Sequence, residues 1–229
     1  MVYYTGDTHG KFDKILAFIR INDLTADDTI VILGDAGFNY YGNHRGDAEK
    51  KAYLSKFSPR ILCVHGNHEK RPATIETYKT KRVFGGTVWY EPQYPNILFA
   101  KDGEVYDLDG KKSIVIGGAY SVDKYYRISH GHRWFKDEQP SPRIKARVEQ
   151  VLEKNKWQVD QVLTHTCPAK YVPHEAFLSC IDQSTVDTST EDWLDTIEDR
   201  LTYGRWLCGH WHIDKSVDKL RFVMHDFII

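Results

Sequence analysis

The chain has 229 residues, with 31 Lys and Arg against 32 Asp and Glu and a formal net charge of −1. That length suits one ordinary domain with a sizeable core, and the balanced charge gives no reason to expect a polyanionic partner such as nucleic acid or an acidic membrane surface. No apolar run is long enough to span a bilayer. The four cysteines, Cys63, Cys167, Cys180 and Cys208, form no Cys-x-x-Cys pair and read as reduced thiols of a cytoplasmic protein.

Along the chain, the apolar run Val2-Tyr3-Tyr4 leads straight into Gly6-Asp7-Thr8-His9-Gly10, so no signal peptide is expected ahead of it. From Lys11 to Ile21 apolar residues recur at Phe12, Ile15, Leu16, Phe18 and Ile19, a helical period. Ile30 to Leu33 reads as a strand that ends on Gly34-Asp35. Gly46 to Phe57 reads as a second helix, and Ile61 to Val64 as a strand before Gly66-Asn67-His68-Glu69. This alternation predicts an α/β domain with parallel pairing.

From Thr87 to Gly117 the pattern changes to short β-rich runs at Thr87–Tyr90, Ile97–Ala100, Glu104–Tyr106 and Ser113–Ile116, separated by turn signals at Glu91-Pro92, Asp102-Gly103 and Asp109-Gly110. Residues 117–143 read as a long loop dense in aromatic and cationic residues. A helix is predicted over Pro142–Asn155 with Ser141 as its cap, and another over Thr190–Leu201 with Thr190 as cap. Gln161-Val162-Leu163 precedes Thr164-His165-Thr166, and Trp206-Leu207-Cys208 precedes Gly209-His210-Trp211-His212. Lys215 to Ile229 reads as a hairpin turning at Asp218-Lys219.

Five short segments therefore place metal-ligand side chains just past apolar strands, where ligands of α/β sheets gather. Each has a plainer reading by itself. Asp7 could cap a helix, Asp35 could serve a turn, Asn67 could supply a positive φ, and His165 could be a satisfied core histidine. Taken in order they form a series: Asp-x-His, Gly-Asp, Gly-Asn-His-Glu, a lone His, and Gly-His-x-His. The series resembles the calcineurin-like metallophosphoesterase superfamily and spans Asp7 to His212.

The resemblance implies a fold of class α/β (α+β), a β-sandwich of mixed sheets flanked by helices, as a single domain over 1–229 with a dinuclear metal site at strand C-terminal ends. It implies that Asp7, His9 and His212 bind one divalent ion, that Asn67, His165 and His210 bind a second, and that Asp35 bridges them. A mixed nitrogen and oxygen shell suits Mn, Fe or Zn. Two such ions supply a bridging hydroxide and clamp a phosphate ester, and His68 would assist the leaving group.

One departure is visible. Phosphoprotein phosphatases of this superfamily carry Gly-Asp-x-x-Asp-Arg, whereas this chain reads Gly34-Asp35-Ala36-Gly37-Phe38-Asn39 and lacks the second Asp and the Arg. Arg127, Arg71 and Asn39 are candidate substitutes at the substrate. The expected substrate is a small phosphomonoester or phosphodiester, with nucleotides and cyclic nucleotides among the options. The alternatives are a metal-dependent nuclease, which would need a basic groove that the net charge does not suggest, and a non-catalytic scaffold of the same fold.

Overall fold

The computed structural model describes residues 1–42 and 45–229. The strands are β1 (Val2–Thr5), β2 (Thr29–Ile32), β3 (Arg60–Cys63), β4 (Lys79–Val83), β5 (Gly86–Tyr90), β6 (Ile97–Ala100), β7 (Val105–Leu108), β8 (Lys111–Ile116), β9 (Gln161–Thr164), β10 (Arg205–Cys208), β11 (Lys215–Val217) and β12 (Leu220–Phe222). The helices are α1 (Asp13–Ile21), α2 (Arg45–Leu54), α3 (Lys124–Ser129), α4 (Pro142–Lys154) and α5 (Ser189–Glu198).

Two mixed six-stranded sheets result. The first runs β1-β2-β3-β6-β5-β4, parallel through β6 and antiparallel beyond it. The second runs β11-β12-β10-β9-β8-β7, with the four strands from β12 to β8 parallel. The period of two along each strand explains the layering. Val31, Leu33, Leu62 and Leu98 of the first sheet meet Val115, Leu163 and Leu207 of the second in a shared core. The alternate residues Ile30, Ile32, Ile61 and Phe99 face outward onto Ile15, Leu16 and Ile19 of α1 and Leu54 of α2. On the other side Ile114, Val162 and Trp206 face Val148 and Leu152 of α4 and Trp193, Leu194 and Ile197 of α5. Strands covered on both faces favour consecutive apolar residues, which is why the centres of the motif strands read as apolar runs.

The differences from the sequence reading have local causes. Strand β4 is half exposed and alternates Lys and Thr, so no apolar pattern marks it. Helix α5 starts one residue before Thr190, with Thr188 at the cap position; Thr190 is buried and bonds Gln139 from inside the helix. The stretch read as a loop over 117–143 contains α3, which buries none of its residues and so carries no apolar stripe. Ser141 does cap α4, its hydroxyl accepting from the Ile144 amide at 3.3 Å. The final hairpin turns between β11 and β12, but after Phe222 the chain leaves it and Ile228 bridges to Tyr4 at the edge of the first sheet.

Candidate metal centre

The C-terminal ends of β1, β2 and β3 in one sheet and of β9 and β10 in the other lie together, and the five motif segments meet there. Glycines make the approach possible. A Cβ on Gly34 would lie 1.9 Å from His165 Nδ1, one on Gly66 2.0 Å from Asp35 Oδ1, and one on Gly209 2.4 Å from Asp7 Oδ1. No side chain fits at such distances, so each of these three glycines is fixed by the site residue packed against it. The backbone is also bent where the ligands sit. His9, Asp35, His210 and His212 all have positive φ, between 45° and 67°. Four non-glycine residues in this sparsely populated region store strain at a single site.

Each carboxylate is anchored through one oxygen and leaves the other for the centre. Asp7 Oδ1 accepts from the His210 amide at 3.0 Å and Asp35 Oδ1 from the His68 amide at 2.9 Å. Asp7 Oδ2 is buried and accepts no hydrogen bond from the described residues, although His212 Nε2 is 3.3 Å away and His9 Nε2 3.7 Å. Asp35 Oδ2 lies 3.7 Å from His165 Nε2 and 4.0 Å from His9 Nδ1. His9 Nε2 and His212 Nε2 are 3.1 Å apart. Ring nitrogens converging on an unsatisfied carboxylate oxygen are what a divalent cation needs, and the sets Asp7, His9, His212 and Asp7, Asp35, His165 each offer donors within 4.8 Å of one another.

Supporting contacts orient the ligands. His165 Nδ1 donates to the Leu33 carbonyl at 2.9 Å, which aims Nε2 at the centre, 2.8 Å from Asn67 Oδ1. The Asn67 amide donates to Ser121 Oγ at 2.9 Å, and Ser121 in turn donates to Glu138 at 2.5 Å. This relay settles which way the amide faces, with its oxygen toward the centre. Nothing in the sequence marked Ser121 or Glu138, because both come from the loop after β8. Glu69 accepts from the Gly37 and Phe38 amides at 2.5 and 3.0 Å and holds the Asp35 loop in place.

Charge in the centre follows from crowding. Burial would raise both carboxyls, but the adjacent imidazoles, His165 foremost, outweigh it; Asp35 falls well below the ordinary carboxylate range and Asp7 falls below it too. Burial opposes a charge on His165, yet Asp35 and Asp7 lift its pKa to about 9. Burial and the nearby His165 push His210 down to about 3. A proton on His165 thus offsets one of the two carboxylate charges, leaving a net negative charge for a cation to balance.

His68 lies at the edge of the cluster. Its Nε2 is 3.4 Å from Arg127 Nη2 and 3.3 Å from Asn67 Nδ2. Burial lowers its pKa, and Arg127 lowers it further against the pull of Asp35. Of the expected substrate contacts, only Arg127 reaches the site, steadied by Asp123 at 2.7 Å. Arg71 and Asn39 line neither cavity at the centre. Arg71 is buried in an ion pair with Asp102 and donates to the Asp137 carbonyl at 2.7 Å, clamping the loop after β8. Asn39 is fully buried and accepts from the Tyr78 hydroxyl at 2.9 Å. Lys50 sits in the polar helix α2 with no motif around it, yet it lines a cavity with His9, Asp35, His68 and Arg127. The aromatics of the same loop divide: Trp134 is pinned by Glu138 at 2.7 Å, while Tyr125 and Tyr126 stay exposed.

A family model described as calcineurin-like phosphoesterase matches residues 1–214. The chain belongs to the calcineurin-like phosphoesterase family. Family membership carries metal-dependent hydrolysis of phosphate esters, with a pair of divalent ions as the usual cofactor, and the Asp and His groups described above fit such a pair. No curated protein matches the chain. Among solved structures, the chain is similar to AQ665 from Aquifex aeolicus, a protein of unknown function. The two are 14% identical over 72% of this chain and 80% of the other, at a TM-score of 0.28, a likeness too weak to bear on function. No helix among the described residues is long and apolar enough to cross a membrane.

Beside the centre of this calcineurin-like fold, Glu191 is almost fully buried and accepts from the Thr166 hydroxyl at 2.7 Å; burial raises its pKa to about 7. The folded chain therefore binds this proton more tightly than the unfolded chain, and stability from it fades as pH rises from about 4.5 to 7. Glu191→Gln is expected to leave the melting temperature at pH 4 unchanged and to raise stability at pH 8 by about 3 kcal/mol, measured by thermal denaturation at both pH values.

Proposed function

We propose that the chain hydrolyses a small phosphate ester, with Asp7, His9, Asp35, Asn67, His165, His210 and His212 holding two divalent cations, Asp35 between them. The observation that carries this reading is the buried carboxylate pair facing converging imidazole nitrogens, one of its oxygens without a hydrogen bond. When bound, such a pair supplies a deprotonated water as nucleophile and neutralises charge on the phosphoryl oxygens. The oxygens and nitrogens present suit Mn, Fe or Zn.

The chain's own residues do the rest. Arg127 and Lys50, on the far side of Asp35 and His68, receive the phosphoryl oxygens. Two cations there match the dianion of a monoester better than the monoanion of a diester. His68 is neutral at pH 7 and accepts from Arg127. With Nε2 accepting, the imidazole proton sits on Nδ1; a phosphoryl oxygen seated between the two groups takes over the guanidinium's hydrogen bond, and the freed Nε2 takes a proton from solvent and passes it to the departing oxygen.

The test is Mn-supplemented hydrolysis of a chromogenic phosphomonoester and its diester, with Asp35→Asn as blank. Monoester turnover should exceed diester turnover, and Arg127→Ala should shrink that ratio by about tenfold through a higher monoester KM. Turnover of neither ester above the blank would sink the reading.

A further inference from the structure

The metal centre has a second, larger cavity beside it, of about 470 Å³. Asn67, His68, His210 and His212 form its inner wall, so a group departing from phosphorus on the His68 side enters it. The outer wall is mostly apolar, with Val172, Phe177, Leu178, Ile181, Val186 and Trp211, and carries Gln183 and Thr188 among them. The Phe177 and Trp211 rings lie 6.0 Å apart and only 25° from parallel, giving a flat aromatic face. Leu178 lines this cavity while 59% exposed, an apolar side chain left at the surface beside an open pocket.

Charge divides the two cavities. The smaller one, of about 180 Å³, carries Lys50 and Arg127. No Lys or Arg among the described residues lines the larger one, whose ionisable groups away from the centre are the acids Asp123 and Glu191. Asp123 is already paired with Arg127 and Glu191 is buried, so an anionic leaving group would lose its hydration there and find no free cation to replace it. An uncharged, flat, apolar group would pack against the Phe177 and Trp211 rings, and the volume lies within the ordinary range for small-molecule pockets.

Resting on the phosphoesterase reading above, we infer that this cavity is the leaving-group pocket and selects phosphate esters of uncharged aromatic alcohols over esters of anionic ones. His68, which lines both cavities, stands at the junction where the ester bond would break.

The experiment compares phenyl and 2-naphthyl phosphate, whose phenols ionise alike, together with their methyl diesters, using Mn-loaded full-length protein. The second ring should raise kcat/KM by about tenfold through added burial, and a 4-carboxymethylphenyl ester should fall below the phenyl ester. Leu178→Asp, at an exposed position, should bring the naphthyl-to-phenyl ratio close to one. Equal kcat/KM for the two rings, or a Leu178→Asp variant that keeps the wild-type ratio, overturns the pocket assignment and leaves the phosphoesterase reading standing. No turnover of any ester above the Asp35→Asn blank overturns both.

Discussion

Asp35→Asn is expected to lower turnover by roughly a thousandfold or more, about 4 kcal/mol of barrier, and to erase the rise in melting temperature that Mn gives the wild type. The substitution is nearly isosteric, and an Asn oxygen can still accept from the His68 amide, as Asp35 Oδ1 does at 2.9 Å. What disappears is the negative charge between the two sets of donors, with Asp35 Oδ2 near both His165 and His9. Without it two cations close together repel with little to offset them. In the wild type, Mn at a hundred times its Kd should add about 2.7 kcal/mol of stability, several degrees in Tm for a chain of this size. Activity in the variant equal to wild type would remove Asp35 from the bridging position.

Gly34→Ala is expected to cost about 3–5 kcal/mol and to lose metal binding along with stability. Two penalties coincide. The residue has φ of +100°, which side chains rarely adopt, and the added Cβ would lie 1.9 Å from the Nδ1 of a completely buried imidazole. His165 cannot retreat without breaking its bond to Leu33 and turning Nε2 away from the centre. Gly85→Ala is the control: its φ is +76° but nothing lies within 4 Å of the new Cβ, so only about 1 kcal/mol of backbone strain is expected. Thermal melting of both variants with and without Mn separates overlap from backbone preference. A Gly34→Ala variant as stable as Gly85→Ala would show that the imidazole can shift.

The functional class was legible because its signal is local and repeated. Apolar strands ending in Gly-Asp or Gly-Asn-His write the candidate ligands into short words, and Gly34, Gly66 and Gly209 belong to those words because a Cβ on any of them would lie under 2.5 Å from an atom of Asp7, Asp35 or His165. The strands themselves were legible because burial on both faces favours runs of consecutive apolar residues, with polar residues such as Thr29 and Gln161 only at the strand ends. Where an element is half solvated, as β4 is, or buries nothing, as α3 does, that demand vanishes and so does the pattern.

Arg71, Asn39 and Arg127 mark the limit. All three are polar residues near a motif or in a rich loop, and sequence gives no means to rank them. The tertiary structure spends Arg71 on Asp102, Asn39 on Tyr78, and brings Arg127 to within 3.4 Å of His68. Side-chain direction depends on which distant segment comes to lie opposite, and the partners here are 31, 39 and 59 residues away. Lys50, Ser121 and Glu138 were silent for the same reason.

The sequence by itself determined the family, the ligand types and the strand ends that carry them, because a residue's distance from its own strand is a local property. Only the tertiary structure decided which cations line the cavity beside Asp35 and His68, which carboxylate oxygen is left without a hydrogen bond, and that a largely apolar cavity adjoins His68. Those properties belong to surfaces assembled from both sheets and the loops after them, and no single segment holds them.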